Sequence, residues 1–168
     1  MQLRSIDKAR YQRHLRIVFA GIVAVMVIVT LAASTAFIRF FSSPEASHFM
    51  HNLAGVAVAA GVAVYILTRL RKQPFLQEVV YIWDLKQQLN RIYRKQRKVE
   101  AALEANDVDA MQIMNFQYQG SLQLYAMDDN TITIDDLQLK FQALKSRMQK
   151  AGLDASRIQY EAELLDRF

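Results

Sequence analysis

Ile17 to Ile38 reads IVFAGIVAVMVIVTLAASTAFI, 22 residues between Arg16 and Arg39 without a charge. The hydrocarbon core of a bilayer is about 30 Å thick and an α-helix rises about 1.5 Å per residue, so about 20 apolar residues cross it. A second uncharged stretch runs from Phe49 to Thr68. The two predict a transmembrane helical hairpin over 17–68, with spans over about 17–38 and 49–68 and a short external loop. The first apolar run exceeds the roughly 7–15 residues of a secretory h-region, and another span follows at once. It is therefore read as a retained span rather than a cleaved signal.

The flanks orient the hairpin. Arg4, Lys8, Arg10, Arg13 and Arg16 precede the first span, and Arg69, Arg71 and Lys72 follow the second. The connection, about Arg39 to His48, carries Arg39 alone. An excess of Lys and Arg marks the cytoplasmic side. Residues 1–16 become a basic cytoplasmic flank, residues 74–168 a cytoplasmic helical domain, and both termini are expected in the cytoplasm. Ser42-Ser43-Pro44-Glu45 supplies the turn, because proline fixes φ and interrupts a helix.

The net charge of +5 is unevenly divided: +7 over residues 1–72, +2 over 73–105 and −4 over 106–168. The basicity belongs mostly to the membrane flanks, where it holds spans against anionic lipid, so nucleic-acid binding is the lesser reading. There is no cysteine. Disulfides, thiolate catalysis and Cys-ligated metals are thereby excluded.

The second span is rich in small residues, with Gly55/Ala59 and Ala57/Gly61 at small-xxx-small spacing. Helices associate in lipid by close packing, which such residues permit. Gly55, Ala57, Ala59 and Gly61 are the candidate packing positions, either against the first span or against a second copy. Neither span has an ionisable residue at its centre, where transporters and proton relays usually carry one. His48 and His51, with Glu45 nearby, are weak as a metal set and are read as interfacial, like His14 in the basic flank.

The remaining sequence reads as three to four helices, an all-α cytoplasmic bundle. Pro74 suits a first helical turn. Ile82, Leu85, Leu89, Ile92, Gln96, Val99 and Leu103 follow at alternating spacings of three and four, a heptad-like seam. Phe75, Leu76, Val79, Val80, Tyr81, Ile82 and Trp83 are apolar nearly all round, which suits either the bilayer surface or burial beneath the domain. Asn106 or Asp107 caps a second helix to about Met127, with Val108, Met111, Met114, Tyr118, Leu122 and Tyr125 facing inward and Gly120 permitting close approach. Asp128-Asp129-Asn130 forms a turn. Thr133 and Asp136 make a variant capping box for a third helix, closed near Ala151 by Gly152. Its core face is Leu137, Phe141, Leu144 and Met148, and Ser156 to Phe168 is expected as a last short helix.

Arg91, Arg94, Lys95 and Lys98 lie to one side of the seam and form the candidate interaction surface, against a solvated face as the plainer alternative. The stretch from Asp128 fails as a calcium loop, since an EF-hand needs Gly at position 6 and Glu at 12 and finds Thr133 and Leu139. No phosphate loop, nucleophile triad or His-Glu zinc motif is present. The chain is read as non-enzymatic, with no cofactor and no metal. The expected role is an accessory or scaffold subunit that displays a helical surface to a protein partner or a second copy. The alternatives are an anionic-lipid or nucleic-acid binder using the basic stripe, and an oligomeric channel or transport accessory.

Several segments carry a resemblance. They are Ile6-Asp7-Lys8-x-Arg10-Tyr11-x-x-His14, Pro74-Phe75, Tyr81-x-Trp83-x-Leu85-Lys86 and Leu89-Asn90-Arg91-Ile92-Tyr93-Arg94-Lys95. Tyr118-Gln119-Gly120, Leu124-Tyr125-x-x-Asp128-Asp129-Asn130-Thr131 and Leu165-x-Arg167-Phe168 continue it. On these the chain resembles a group of small two-span inner-membrane proteins of gammaproteobacteria known only as a domain of unknown function. The resemblance implies a bacterial inner-membrane home and brings no activity, ligand or partner.

Overall fold

The computed structural model describes residues 1–41, 47–130, 134–158 and 160–168. The turn expected over Ser42 to Glu45, Thr133 of the capping box and part of the calcium-loop comparison lie outside these. The described residues form five α-helices and two 3-10 segments, with no strand. The helices are α1 (Lys8–Phe41), α2 (Phe49–Leu70), α3 (Gln77–Glu104), α4 (Val108–Met127) and α5 (Ile134–Lys150). The 3-10 segments are Pro74–Leu76 and Ala162–Arg167. Helices α1 and α2 are both long and apolar enough to cross a membrane.

The chain divides into two compact units, residues 9–80 and residues 1–8 with 81–168. In the first, α1 begins well before the apolar run predicts. Lys8 to Arg16 holds no Gly or Pro, so nothing stops the helix from extending through the charged flank. At 34 residues it reaches about 50 Å, well beyond the apolar thickness it was expected to match. Helix α2 buries Gly55, Ala59 and Ala63, one residue every turn. At Gly55 the contact with α1 is intimate. A Cβ there would collide with the Ser34 hydroxyl and lie 3.0 Å from the backbone N of Ser34 and O of Thr30. Most other apolar side chains on the two helices point outward, among them Phe19, Ile28, Leu31, Leu53 and Val64.

The second unit is a helical bundle with α4 at its centre. Ala110, Met111, Ile113, Met114, Asn115, Phe116 and Gly120 of α4 are all buried. The seam of α3 supplies Leu85, Leu89, Ile92 and Val99, and α5 supplies Leu144 and Met148. Of the six inward positions predicted for α4, only Met111 and Met114 are fully buried, and Val108 is exposed. The expectation assumed one neighbour. Helix α4 in fact has α3, α5 and the C-terminal segment around it, so Ile113 and Phe116 are buried as well. Gly120 does admit a close approach: a Cβ there would sit 3.1 Å from Leu85 Cδ1 and 3.2 Å from Leu89 Cδ2.

Local signals set the boundaries. Asp107 accepts a hydrogen bond from the Ala110 backbone N–H at 2.9 Å, capping α4. Asn106 takes φ +60°, a left-handed conformation that asparagine tolerates, and lets the chain turn from α3. Gly152 closes α5 at φ +74°, where a glycine escapes the Cβ clash. The final segment is not an α-helix. Its described residues include the 3-10 segment Ala162–Arg167, and Ala155, Tyr160 and Leu165 enter the core.

The first eight residues are not merely a flank. Met1 and Leu3 pack on the same core. Tyr81 Oη accepts from the Arg4 backbone N–H at 2.9 Å, and Gln123 Nε2 donates to the Arg4 carbonyl at 2.5 Å. Tyr81 in turn donates to Gln123 Oε1 at 3.1 Å. Lys8 pairs with Asp129.

Candidate functional site

Helix α3 keeps one side for the core, and its other side is predominantly basic. Trp83, Lys86, Gln87, Asn90, Arg91, Tyr93, Arg94, Arg97 and Lys98 are exposed. At 3.6 residues per turn these positions fall within an arc of about 160°. Over residues 83–98 the arc contains five cations and two aromatic rings, with Asp84 at its edge, and the exposed Glu104 falls on the same arc at the end of the helix. Leaving Trp83 and Tyr93 in water costs apolar hydration that the protein recovers only against another surface.

Arg91, Arg94 and Lys98 of the sequence-derived stripe stand on this arc. Lys95 is turned away from it, half-buried, and donates to the Leu165 carbonyl at 2.6 Å. It anchors the C-terminal segment instead. Lys86 pairs with Asp128 at 2.9 Å. Arg97, Trp83 and Tyr93 join the surface although the stripe omitted them. Their helical spacing from Arg94 and Asn90 is the signal that finds them. Tyr93, Arg94, Arg97, Lys98 and Phe168 line a shallow concavity along the helix.

The C-terminal segment braces this helix and α4. Asn115 Nδ2 and Gln119 Nε2 both donate to the Ala155 carbonyl, at 3.1 and 3.0 Å. The Tyr160 ring stacks on Phe116 with centroids 4.2 Å apart. Burial pushes the Tyr160 phenol above its ordinary value, with nearby Arg91 pulling the other way. Burial beside Glu100 raises Tyr118 similarly. The Ser156 hydroxyl and backbone N–H hold the Asp154 carboxyl below its ordinary value. Arg167 pairs with Asp109 and, at 3.5 Å, with Asp107 at the start of α4.

In the unit of residues 9–80, Gly55 and Ala59 face α1, while Ala57 and Gly61 are exposed. Gly61 has open space where a Cβ would stand. Ala63, missing from the candidate set, continues the buried row by one turn. His14 joins a polar cluster. Its Nδ1 lies 3.4 Å from Glu78 Oε2, and Arg10 Nε lies 2.9 Å from Glu78 Oε1. The His14 ring is 4.2 Å from that of Phe75. His48 and His51 lie edge to face at 6.4 Å. Among the described residues no three His, Asp or Glu are grouped to hold a metal.

Residues 1–165 match the family described as protein of unknown function, DUF3087. The chain belongs to the DUF3087 family. No curated protein and no solved structure matches it.

Proposed function

We propose that this chain is a non-enzymatic integral protein of a bacterial inner membrane, of the gammaproteobacterial type, acting as an accessory or scaffold subunit. Its two spans hold a helical domain at the cytoplasmic surface, and the outer arc of α3 meets an acidic protein partner. The carrying observation is the packing of residues 1–8 with residues 81–168 in one unit. Two pieces of one core share one compartment. The chain between them contains two span-length helices, which suits a path that leaves that compartment and returns. The flanking Lys and Arg favour the cytoplasm for both ends. A cleaved first span would also remove Met1, Leu3 and Arg4 from the core they pack against.

A second reading replaces the acidic partner by anionic lipid. Exposed Trp83 and Tyr93 within the basic arc favour it, since aromatic rings and cations together suit the headgroup region.

The absence of cysteine gives a clean background for the test. In intact spheroplasts an impermeant maleimide should label Ser47→Cys and leave Gln87→Cys unlabelled until lysis. Labelling of Gln87→Cys before lysis would overturn the topology. A photo-crosslinker at Arg94 should then give one discrete protein adduct. Lipid adducts alone would favour the second reading, and no adduct would remove the interaction surface.

A further inference from the structure

Helices α1 and α2 meet tightly at Gly55 and Ser34 and part company elsewhere. Between them lies a crevice of about 470 Å3. Ile17, Gly21 and Val25 form one wall, Ala63 and Leu67 the other, and Phe75 completes the lining. All its lining residues belong to the unit of residues 9–80. The walls are apolar, with Gln73 the one side chain of polar character among them. Gly21 has nothing within 4 Å of where its Cβ would stand. A segment of α1 in the middle of a close contact would not leave such room.

We propose that this crevice holds one acyl chain of an anionic phospholipid, with the phosphate against cations at its mouth. The proposal rests on the membrane reading given above. The apolar walls suit a hydrocarbon chain. Charge selects the headgroup. Arg16 immediately precedes Ile17, and Arg13 lies one turn earlier. Arg69, Arg71 and Lys72 flank Leu70 and Gln73 at the matching end of α2. All five are exposed. Glu78, the acid of this unit among the described residues, is engaged by Arg10 and His14. A phosphate arriving at this end therefore meets cations whose local acid is already paired.

The site differs from the arc of α3. There a cationic face would lie on a headgroup layer. Here a single lipid is held by its chain between two helices and recognised by its phosphate.

The test uses the full chain reconstituted in nanodiscs of equal phosphatidylcholine and phosphatidylglycerol, released gently and weighed by native mass spectrometry. The wild-type chain should retain one lipid, enriched in phosphatidylglycerol by about fivefold for each cation that engages. Gly21→Phe fills open space, so it should leave helicity unchanged and lose the retained lipid. Val25→Phe on the same wall should behave alike. Ala57→Phe, outside the crevice, should retain the lipid. The double change Arg16→Gln with Lys72→Gln should keep a lipid and lower the preference for phosphatidylglycerol by about fivefold for each of the two that engages. Retention in both crevice-filling variants, or wild-type lipids in the proportions of the bilayer, would reduce the crevice to ordinary annular contact and overturn the proposal. Flotation with vesicles separates the two readings. A chain that fails to float overturns the membrane reading and this site with it. A chain that floats without a retained lipid overturns the site alone.

Discussion

Helices α2 and α4 have similar lengths, 22 and 20 residues, and each relies on a glycine. They solve opposite problems. Helix α4 is surrounded by protein and buries residues on every side. Helix α2 is the more apolar of the two by composition, yet it buries only Gly55, Ala59 and Ala63. In water that arrangement would be inverted, because apolar surface removed from water stabilises a fold by about 25 cal/mol per Å2. The comparison teaches that hydrophobicity marks contact with an apolar environment, and that the environment can be protein or lipid. The glycines differ too. Gly120 admits the flexible tips of leucines, whereas Gly55 admits the backbone of another helix. A side-chain tip can shift and a backbone cannot without moving its helix.

The largest effect should follow from emptying the centre of α4. Phe116 is fully buried and Phe→Ala in a core costs about 3–5 kcal/mol. Phe116→Ala should lower the stability of the bundle by that amount, read from hydrogen exchange of α3, α4 and α5. Leu53→Ala on the outer side of α2 should leave that exchange unchanged. Equal losses from the two would dissolve the contrast between the helices.

The glycine pair comes next. Gly55→Leu forces bulk against the Thr30–Ser34 backbone, an overpacking of about 1–3 kcal/mol. It should widen the distance between spin labels at Leu31 and Leu53, while Gly61→Leu should not. Gly120→Ala has only leucine methyls to displace and gains helix propensity of about 1 kcal/mol. Its net effect should stay within about 1 kcal/mol of zero. A distance that Gly55→Leu leaves unaltered would show that the spans do not depend on their close contact.

How much of this was readable in the sequence follows from the same contrast. Both span-length helices are legible because charge is absent for 22 and 20 consecutive residues, and the α3 seam because its period repeats. Asp107 and Gly152 announce their caps through chemistry that works locally. The full burial of α4 is not legible from its pattern, since periodicity reveals one apolar face and α4 has several neighbours. Charge and position beside the seam group Lys95 with Arg94 and Lys98. That it reaches Leu165 depends on a contact 70 residues away, which no local pattern encodes. The stacking of Tyr160 on Phe116 is hidden for the same reason.

A smaller effect concerns alkaline pH. A tyrosine whose folded value is raised stays neutral in the fold while the unfolded chain ionises above about pH 10. Its contribution is fully present below that value and is lost as pH rises through it. Thermal unfolding of the full chain should therefore weaken above about pH 10. Tyr160→Phe keeps the stack on Phe116, sacrifices a long hydrogen bond to Gln88 at 3.4 Å, and should flatten that decline. The decline should persist in part through Tyr118. An identical slope in the variant would mean that Tyr160 is not shielded from water.

The smallest effect belongs to the surface of α5. Lys140 and Asp136 pair at 2.8 Å, four residues apart and both exposed. Exposed helical pairs contribute about 0.3–0.5 kcal/mol, so Lys140→Gln should shift the unfolding midpoint barely above measurement error. A loss comparable with that of Gly55→Leu would place Lys140 in a larger network.

The seat of the first eight residues on the bundle imposes an order on biogenesis. The Met1 ammonium reaches the Tyr160 carbonyl at 3.4 Å, across a separation of 159 positions. A ribosome adds about 5–20 residues per second, so Met1 must wait roughly ten to thirty seconds for its partner to be made. Both apolar helices, Lys8–Phe41 and Phe49–Leu70, are made during that interval, before the bundle can close. Closure of the core over residues 1–8 therefore waits on Tyr160, the later-made partner of that contact.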